Sequence, residues 1–493
     1  MGKTENGQKN FGYYAICVIA ILLMFFGGMI PSFSPDIPKV GMQLLGVFVG
    51  MVLLWSTVGG VIWPSILAII AFGMTDYTNV NAAVMSSLGQ VVIWQVLMVI
   101  VLASTITVSG GGEFMARWVI SRKFLKGRPY LFSGVFLVAM TLISSVTNAI
   151  AMMLLSWTIL RGIANIIGAS MKEKYFRMMS VLLMPACAFG EFTIPFRSWV
   201  GALWNTFGQV VGQQFDYIPY IVITLLLSVL LDILFVLYLK LSKVDTSKLK
   251  TFDNTEIYNS LRDTKLTVRQ KAYMVTMLIC MVVAILSCIL PKTSGLYLFL
   301  NNTLTTGGIF GVGVVVLMVI RAKDGKPLMD FFEITAKSPI WGPFFIIASA
   351  IPIANALCAQ DVGFLTWTGK VIQPIFAESS LFMIYFLIII VAVFLTNLAS
   401  NTGIAMMMLA LAVPLAASAG ANVYTVGICT IFSACMGFLL PGAGAISAAV
   451  YGMKEEQDVR VKDILSHGSV VCVLYIVVAS ILFPILDKVL IIA

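Results

Sequence analysis

The sequence is poor in charged residues, which make up only 11% of its 493 positions. An ordinary soluble domain carries about 25% charged residues, so this shortage excludes that class. Apolar runs of about 20 residues, long enough to span the hydrocarbon of a bilayer, recur from residues 11–30 to residues 468–487. They do not alternate as the strands of a membrane β-barrel do. The sequence therefore predicts an all-α polytopic membrane protein.

Residue patterns typical of catalytic or metal-binding sites are also scarce. His467 is the only histidine, and its charged surroundings predict a solvated side chain. The eight cysteines form no CxxC pair and lie in apolar segments, which is typical of buried free thiols. The glycine-rich "SGGGEF" (109–114) lacks the Lys-Ser/Thr that a phosphate-binding loop needs. We therefore expect no enzyme and no cofactor, and Na⁺ as a coupling ion at most.

The net charge of +9 comes from basic clusters in short polar segments, at residues 116–128, 172–177, 241–271 and 321–326. The positive-inside rule assigns such clusters to the cytoplasm. We take residues 11–30 as a retained first helix rather than a signal peptide. Counting spans then places the N-terminus in the cytoplasm and the C-terminus outside, in a multi-pass protein of the plasma or inner membrane.

Residues 129–159 lie between two of these basic clusters, so both of their ends should face the cytoplasm. A single crossing cannot return to the same side, and two crossings need about 40 residues. A re-entrant hairpin with its tip at "SSVTN" (144–148) meets both conditions, provided that the tip is buried in protein or lines a cavity. The next stretch, 178–212, is interrupted by "GEFTIPFRSW" (190–199), which predicts a broken helix.

The second half of the chain repeats this arrangement. The apolar stretch 371–418 holds a polar cluster at its centre, and residues 428–452 are again interrupted. Because one hairpin would enter from inside and the other from outside, we predict an inverted-topology repeat whose tips meet at the midplane. The motifs that match between the halves are "TNAIAMM" (147–153) with "NTGIAMM" (401–407), and "ACAFG" (186–190) with "ACMG" (434–437).

The predicted fold has about 11 transmembrane helices, two re-entrant hairpins and two broken helices. We expect scaffold and transport elements to alternate along the chain. The expected boundaries are 1–128 for the first scaffold helices, 129–212 for the first transport elements, 213–271 for a helix and cytoplasmic linker, 272–370 for the second scaffold helices, 371–452 for the second transport elements, and 453–493 for a cytoplasmic loop and the final helix.

The hairpin tips carry polar side chains that suit a small anion. Unpaired backbone amides and helix N-termini fit carboxylate or sulfate oxygens, whereas carbonyl and hydroxyl oxygens fit Na⁺. For one cluster alone, hydrogen bonding between neighbouring helices would be the better interpretation. Two clusters at equivalent places in a repeat favour a binding role. The predicted substrate-binding residues are Ser145, Thr147, Asn148, Ser400, Asn401, Thr402 and Arg197.

Ionisable residues at membrane depth are rare and usually functional. Glu191 and Arg197 flank the first helix break, where they would pair with each other or, equally, Arg197 would clamp a carboxylate. Asp232 is a second candidate for a buried carboxylate, whereas Asp361 fits an outer loop. The residues predicted to bind or couple an ion are Glu191, Thr193, Gly403, Gly442, Gly444 and Ser447.

These motifs resemble the divalent anion:sodium symporter family, within the ion-transporter superfamily of elevator carriers. The resemblance rests on "ASNTGIAMMM" (399–408), "SSVTNAIAMM" (144–153) and the two broken segments. Residues 400–402 match the family's Ser-Asn-Thr motif in full, and residues 146–148 match it in permuted order. "FTIPFRSW" and "LLPGAGAIS" stand in place of the family's Thr-Pro-Pro-Asn pattern. The resemblance implies tips that bind carboxylates or sulfate, adjacent Na⁺ sites, and a homodimer with a moving transport domain.

The sequence thus predicts a secondary active transporter of small anions, with di- or tricarboxylates preferred, that works by an elevator mechanism with Na⁺ coupling or exchange. Its expected partners are the anion, the lipid bilayer and a second copy, with no nucleic acid. An alternative is a cation/proton antiporter or arsenite-type permease of the same superfamily, with Glu191 as the titrating group. A membrane-embedded enzyme or a passive channel is less favoured, since no catalytic residues cluster and hairpins of opposite entry suit alternating access.

Overall fold

The computed structural model describes residues 4–490 with gaps. Three predicted site residues, Arg197, Ser400 and Gly442, fall in these gaps, as do residues 251–265 of the central polar linker. The stretches outside the description are 1–3, 58–60, 197–199, 213–216, 251–265, 292, 339, 358, 365, 368–369, 371–378, 399–400, 441–442, 445, 448–449, 452–457 and 491–493.

The described chain is helical almost throughout. The first half forms α1 (Thr4–Phe26), α2 (Lys39–Thr57), α3 (Ile62–Gly73), α4 (Val80–Leu88), α5 (Val91–Val108), α6 (Gly111–Ile120), α7 (Pro129–Ser144), α8 (Ala149–Ile166), α9 (Lys174–Thr193), α10 (Val200–Val211), α11 (Tyr217–Leu241) and α12 (Ser247–Lys250). The second half forms α13 (Val268–Ile289), α14 (Gly295–Val319, with a π-helical turn at Phe299–Leu304), α15 (Phe331–Lys337), α16 (Trp341–Leu357), α17 (Leu381–Leu398), α18 (Asn401–Ser418), α19 (Val423–Ala434) and α20 (Val461–Val489).

Among the described residues, eight helices are long and apolar enough to cross a membrane: α1, α8, α11, α13, α14, α17, α18 and α20. Shorter apolar helices include α2, α3, α7, α16 and α19. Outer faces expose large apolar side chains such as Leu226, Val275 and Val477, which lipid would cover. The described backbone has no β-strand, only an isolated bridge between Arg321 and Pro327. The predicted all-α polytopic class is therefore confirmed.

The helices enclose two hydrophobic cores. The larger is built mainly by α1–α3, α7–α11 and α16–α20, and the smaller by α5, α13 and α14. Phe189 and Phe192 of α9 belong to the larger core, whereas Ile194 and Phe196, just after α9, belong to the smaller. Phe196 stacks near Phe310 of α14, with ring centroids 5.7 Å apart. The end of α9 therefore joins the two hydrophobic cores.

Two helix pairs form hairpins, and each packs on a third helix of its own half. Hairpin 1 (α7 and α8, turning at residues 145–148) packs with both arms on α9. Hairpin 2 (α17, which ends at Leu398, and α18, which begins at Asn401) packs with both arms on α19. In addition, α10 packs on α18, where Thr206 Oγ1 lies 3.3 Å from Met406 Sδ. The first half thus contacts hairpin 2 directly.

The first helix break comes later than predicted. Glu191 and Thr193, which we expected within the break, lie in the last turn of α9. The helix ends there because Pro195 has no N–H and disfavours helical backbone at the residue before it. Ile194 is accordingly extended, with φ −103° and ψ 105°. In the second half α19 ends already at Ala434, and the chain continues without helix over residues 435–440.

Candidate binding site at the two hairpin tips

Asn148 closes the tip of hairpin 1. Its Oδ1 accepts a hydrogen bond from Ala151 N at 3.0 Å and so caps α8, which is the preferred use of Asn at a helix start. Its own backbone N donates to Thr107 Oγ1 of α5 at 3.3 Å. The half-buried Asn148 has no bonded partner for Nδ2 among the described residues. The N-terminus of α8 therefore presents a partial positive charge together with a fixed amide donor.

Two hydroxyls of the same tip bond back into α7. Ser145 Oγ donates to Leu142 O at 2.7 Å, and Thr147 Oγ1 donates to Ile143 O at 2.7 Å. Ser145 is half-buried and Thr147 is fully buried. Because these bonds use the hydroxyl hydrogens, each oxygen keeps only acceptor capacity in this arrangement. The substrate-binding role of Ser145 and Thr147 stays a prediction.

Gly190 of α9 seats the tip of hairpin 1. A Cβ at Gly190 would lie 2.0 Å from Thr141 O, 2.1 Å from Ser144 Oγ and 2.8 Å from Ser145 N. Only glycine allows such an approach of two backbones. One turn earlier in α9, Ala186 O accepts a bond from Thr141 Oγ1 at 2.9 Å. Helix α9 therefore contacts hairpin 1 next to the tip through close packing at Gly190 and a hydrogen bond at Ala186.

Asn401 opens α18 at the tip of hairpin 2. Its backbone N donates to Ala443 O at 2.8 Å, and its Oδ1 lies 2.7 Å from Thr396 Oγ1. The next residue, Thr402, is buried, and Ser400 lies outside the described residues. The N-terminus of α18 is thus bonded to the irregular segment that follows α19.

The segment after α19 wraps around Asn401. A Cβ at Gly437 would lie 2.2 Å from Asn401 Oδ1 and 2.7 Å from Thr396 O, and one at Gly444 would lie 3.2 Å from Asn401 Nδ2. Ser447, fully buried, donates from Oγ to Gly437 O at 3.0 Å. Gly444 and Ser447 are therefore the predicted ion residues that the structure brings to this tip.

The two tips repeat the same contacts. Thr396 Oγ1 donates to Ala434 O, as Thr141 Oγ1 does to Ala186 O. Gly437 stands to hairpin 2 as Gly190 does to hairpin 1, since a Cβ on either would strike the carbonyl of that threonine. These contacts link residues in "ACMG" and "ACAFG" to equivalent positions in the hairpins, as the matching motifs predict.

Aromatic rings join the two seats. The rings of Phe189 and Phe438 lie edge to face with centroids 6.5 Å apart, and Phe189 also meets Phe432 at 5.7 Å. Phe189 precedes Gly190, and Phe438 follows Gly437. Gly190 and Gly437, the glycines on which the two tips pack, therefore both lie next to the same aromatic cluster.

Asn397 is a site residue that the sequence analysis missed. Its Oδ1 accepts from Phe438 N at 2.9 Å and Leu439 N at 2.8 Å, and its Nδ2 donates to Met436 O at 3.1 Å. These bonds satisfy backbone groups that lose their helical partners after α19, which is obligatory in an apolar surrounding. The feature that could have identified Asn397 from the sequence is a polar residue in a long apolar stretch, four residues before Asn401.

Three other predicted ion residues that the structure describes, Thr193, Gly403 and Glu191, have different surroundings. Thr193 is buried, and its Oγ1 donates to Phe189 O at 2.9 Å within α9. Gly403 faces α2, where a Cβ would lie 2.9 Å from Val52 Cγ2. Glu191 is half-buried, and its predicted pairing with Arg197 involves a residue outside the description. Within the described chain, no three His, Cys, Asp or Glu residues cluster as metal ligands.

The prediction of a solvated His467 is wrong. Helix α20 begins at Val461 and packs on α11, so His467 is half-buried and its Nδ1 lies 2.7 Å from Tyr238 OH. Asp361 is exposed, as an outer loop position requires, whereas Asp232 is fully buried in α11. The loop carboxylate Asp324 pairs with Arg269 at 2.8 Å, and the hydrogen bonds from Arg269 hold the pKa of Asp324 below its ordinary value.

Comparison with known proteins adds one finding. The family model described as the sodium:sulfate symporter transmembrane region matches residues 8–492 of this chain. A comparison with curated proteins finds no match. The family match covers both hairpins, both helix breaks and the helices around them.

Proposed function

The chain belongs to the sodium:sulfate symporter family, and from this premise we propose that it carries a di- or tricarboxylate together with Na⁺. Membership confirms the family predicted from the hairpin motifs, and it makes the protein a secondary anion transporter of the membrane. A transporter family also agrees with the expectation that the chain is not an enzyme. The anion, the coupling ion and the motion are the proposed parts.

The observation that carries the proposal is the attachment of both hairpin tips to one aromatic cluster. Gly190 seats hairpin 1 and Gly437 seats hairpin 2, while Phe189 and Phe438 beside them are in ring contact. This arrangement supports a shared site between the N-termini of α8 and α18. Helix N-termini attract anions through their unpaired amides and partial positive charge.

Two separate tips favour an anion with two separated charges. Hairpin 1 would bind one carboxylate through Asn148 Nδ2 and the first amides of α8. Hairpin 2 would bind another through Asn401, Thr402 and the first amides of α18, with Ser400 beside them. A dicarboxylate can engage both tips at once, whereas sulfate concentrates its charge in one compact group. Arg197 remains a proposed clamp for a substrate carboxylate.

The irregular segment after α19 is the proposed Na⁺ region. In this segment Gly444 lies next to Asn401 and Ser447 donates to Gly437 O; the backbone is of the kind whose carbonyl oxygens suit a hard cation. In this proposal the ion strengthens the binding of the anion, because it adds positive charge next to the hairpin 2 tip. Glu191, Thr193, Gly403 and Gly442 are proposed as further ion or coupling residues.

An elevator motion would need a smooth boundary between hairpin 2 and its surroundings. A small apolar cavity of about 70 Å³ lies between α2, α16 and α18, lined by Leu45, Phe48, Leu357, Met406 and Met407, among others. Apolar contacts without hydrogen bonds allow one body to slide past another. We propose that the hairpins and their seats move as the transport domain, and that the other helices form a homodimeric scaffold.

Uptake by purified protein in liposomes tests the proposal. Labelled succinate, citrate and sulfate are offered with and without an inward Na⁺ gradient. We expect carboxylate uptake that requires the gradient, together with a rise in the unfolding temperature when carboxylate and Na⁺ are both present. Uptake driven only by internal anion would indicate exchange. Uptake of sulfate alone would contradict the proposed substrate class.

A cation/proton antiporter is the second candidate, because Glu191 is a half-buried carboxylate that directly follows Gly190 in α9. In that case a pH gradient alone should drive cation movement without any organic anion. Glu191→Gln should then abolish the exchange. Carboxylate uptake that persists in this variant would remove Glu191 from the role of titrating group.

A further inference from the structure

Asp232 is buried next to the seat of hairpin 1 without full bonding. It lies on α11 with no exposed surface. Its Oδ2 is 2.8 Å from Thr141 Oγ1 of α7. Its Oδ1 is buried and has no hydrogen-bond partner among the described residues. No described Lys or Arg forms an ion pair with it. An ionised carboxylate in such a place would be poorly compensated.

The Thr141 hydroxyl has one hydrogen and two neighbouring oxygens with which it could bond. Thr141 Oγ1 lies within bonding distance of both Asp232 Oδ2 and Ala186 O, at 2.8 and 2.9 Å. A hydroxyl has one hydrogen, a carbonyl can only accept, and an ionised carboxylate can only accept. With an ionised Asp232, one of these contacts would hold two oxygens together without a hydrogen. With a protonated Asp232, the acid donates to Thr141 and Thr141 donates to Ala186, so both contacts are bonds.

In the second half, a neutral side chain from a different element contacts the corresponding threonine. Thr396 Oγ1 stands between Ala434 O and the carboxamide of Asn401. A carboxamide offers a donor and an acceptor at nearly identical positions, so it can supply the hydrogen that Thr396 needs when Thr396 donates to Ala434. A protonated carboxyl is the acid equivalent of that carboxamide. A neutral Asp232 would give Thr141 the same pattern of hydrogen bonds as Thr396.

The groups around α11 leave Asp232 without a nearby cation. Helices α7, α9, α13, α19 and α20 pack on α11. Helix α7 contains no Asp, Glu, Lys, Arg or His. The described charged groups on these helices have other partners or are exposed. On α9, Lys174 donates to Ser242 O and Arg177 lies 3.8 Å from Asp463, while Glu191 is half-buried in the last turn. On α13, Arg269 pairs with Asp324; on α20, Asp463 pairs with Arg460 and Asp487 accepts from Tyr385 OH. Lys271, Lys462 and Lys488 are exposed.

The neutral groups are bonded as well. Tyr273 and Cys280 on α13 donate to Leu328 O and Ile309 O, Tyr424 on α19 accepts from Tyr220 N, and His467 and Tyr475 on α20 bond Tyr238 and Ser433. Asp232 therefore has no cation as a bonded partner among the described residues.

We propose that Asp232 is a proton-binding site of the first repeat. We further propose that its protonation state changes the hydrogen bonds at the junction of hairpin 1 with α9. When the proton leaves, the Thr141 hydrogen turns to the carboxylate and Ala186 O loses it. The Thr141 carbonyl also abuts Gly190, so this change reaches the seat of the tip. The ligand is H⁺, bound at a place separate from the anion donors and from the proposed Na⁺ region.

Infrared spectroscopy of the purified protein in lipid, without substrate, tests the site. We expect a carbonyl band of a protonated carboxylic acid in the wild type at neutral pH. Asp232→Asn should remove this band, whereas the matched control Asp361→Asn, at an exposed carboxylate, should leave it. A wild type without the band, or a band unchanged in Asp232→Asn, would overturn the proposal.

Thr141→Val provides a second test should Asp232→Asn fail to fold. The acid would then lose its acceptor, and the band should move to higher frequency. An unmoved band would mean that the protonated acid is another residue. Only the effect on flux rests on the proposed function: wild-type uptake should change with pH and Asp232→Asn uptake should not. The infrared result stands even if the protein carries no carboxylate.

Discussion

Gly437 lies so close to Asn401 that a Cβ on the glycine would stand 2.2 Å from Asn401 Oδ1. The contact ties the helix break of the second half to the start of α18. Gly190 makes the equivalent contact with Thr141 and Ser144 in hairpin 1. These two glycines hold both tips in place, so they are the first positions to test.

Gly437→Ala should displace the tip of hairpin 2 and abolish uptake. Overpacking of this kind costs about 1–3 kcal/mol, which a denaturant titration in detergent would measure. Gly162→Ala is the matched control, because it lies on α8 with no atom within 4 Å of its added Cβ. In a helix interior that change should stabilise by about 0.5–1 kcal/mol. Normal uptake by Gly437→Ala would contradict the close packing of the tip.

Asn148→Ser separates capping from anion binding. Serine keeps an oxygen for the Ala151 amide, so the unfolding free energy should change by less than about 0.5 kcal/mol. It lacks the Nδ2 donor, and a hydrogen bond to a charged group is worth about 1.5–3 kcal/mol. The KM for the anion should therefore rise about 10- to 100-fold. Asn148→Ala and Asn401→Ala should abolish transport outright. Wild-type KM in Asn148→Ser would remove Asn148 from the site.

Asn397→Leu should destabilise the second helix break. It leaves Phe438 N and Leu439 N without an acceptor, and each buried unsatisfied amide costs about 1–3 kcal/mol. The comparison variant is Asn79→Ala at the exposed cap of α4, which should lose about 1 kcal/mol. Equal unfolding free energies for the two variants would show that Asn397 is not needed to close the break.

Paired cysteines at Val52 and Gly403 test the proposed sliding of hairpin 2 past α2. A Cβ at Gly403 would already touch the Val52 side chain, so the two positions are close enough for a disulfide. Oxidation should stop uptake and a reductant should restore it, while each single variant should be insensitive to both. Undiminished uptake by the cross-linked protein would mean that these helices do not separate during transport.

The Arg269–Asp324 pair predicts a small acid-side loss of stability. The hydrogen bonds from Arg269 lower the pKa of Asp324 below its ordinary value of 3.8. The pair therefore contributes fully above that ordinary value, and its contribution disappears as the pH falls through the lowered one. Unfolding temperature against pH should fall less steeply on the acid side for Asp324→Asn than for the wild type. Identical acid slopes would show that the pair contributes nothing.

Much of the fold follows from local sequence. Long apolar runs can be satisfied only as helices in lipid, and polar clusters such as Ser145–Asn148 and Asn401–Thr402 stand out against such runs. The positions of the hairpin turns, with Asn148 and Asn401 at the start of the second arms, are therefore predictable from the residues alone. Pro195 also marks the end of α9, although only to within a few residues of the true boundary.

The contacts that complete the site depend on residues far apart in the chain. Thr141 meets Asp232 across 91 positions, and Asn397 meets Phe438 across 41. The residues near Asp232 in the sequence do not predict that its partner is a hydroxyl and not a cation, because the partner depends on how α7, α9 and α11 pack. Local periodicity decides which segments become helices and where they turn. Packing decides which unpaired backbone and carboxyl groups meet, since a buried polar group takes whatever partner the neighbouring helix brings.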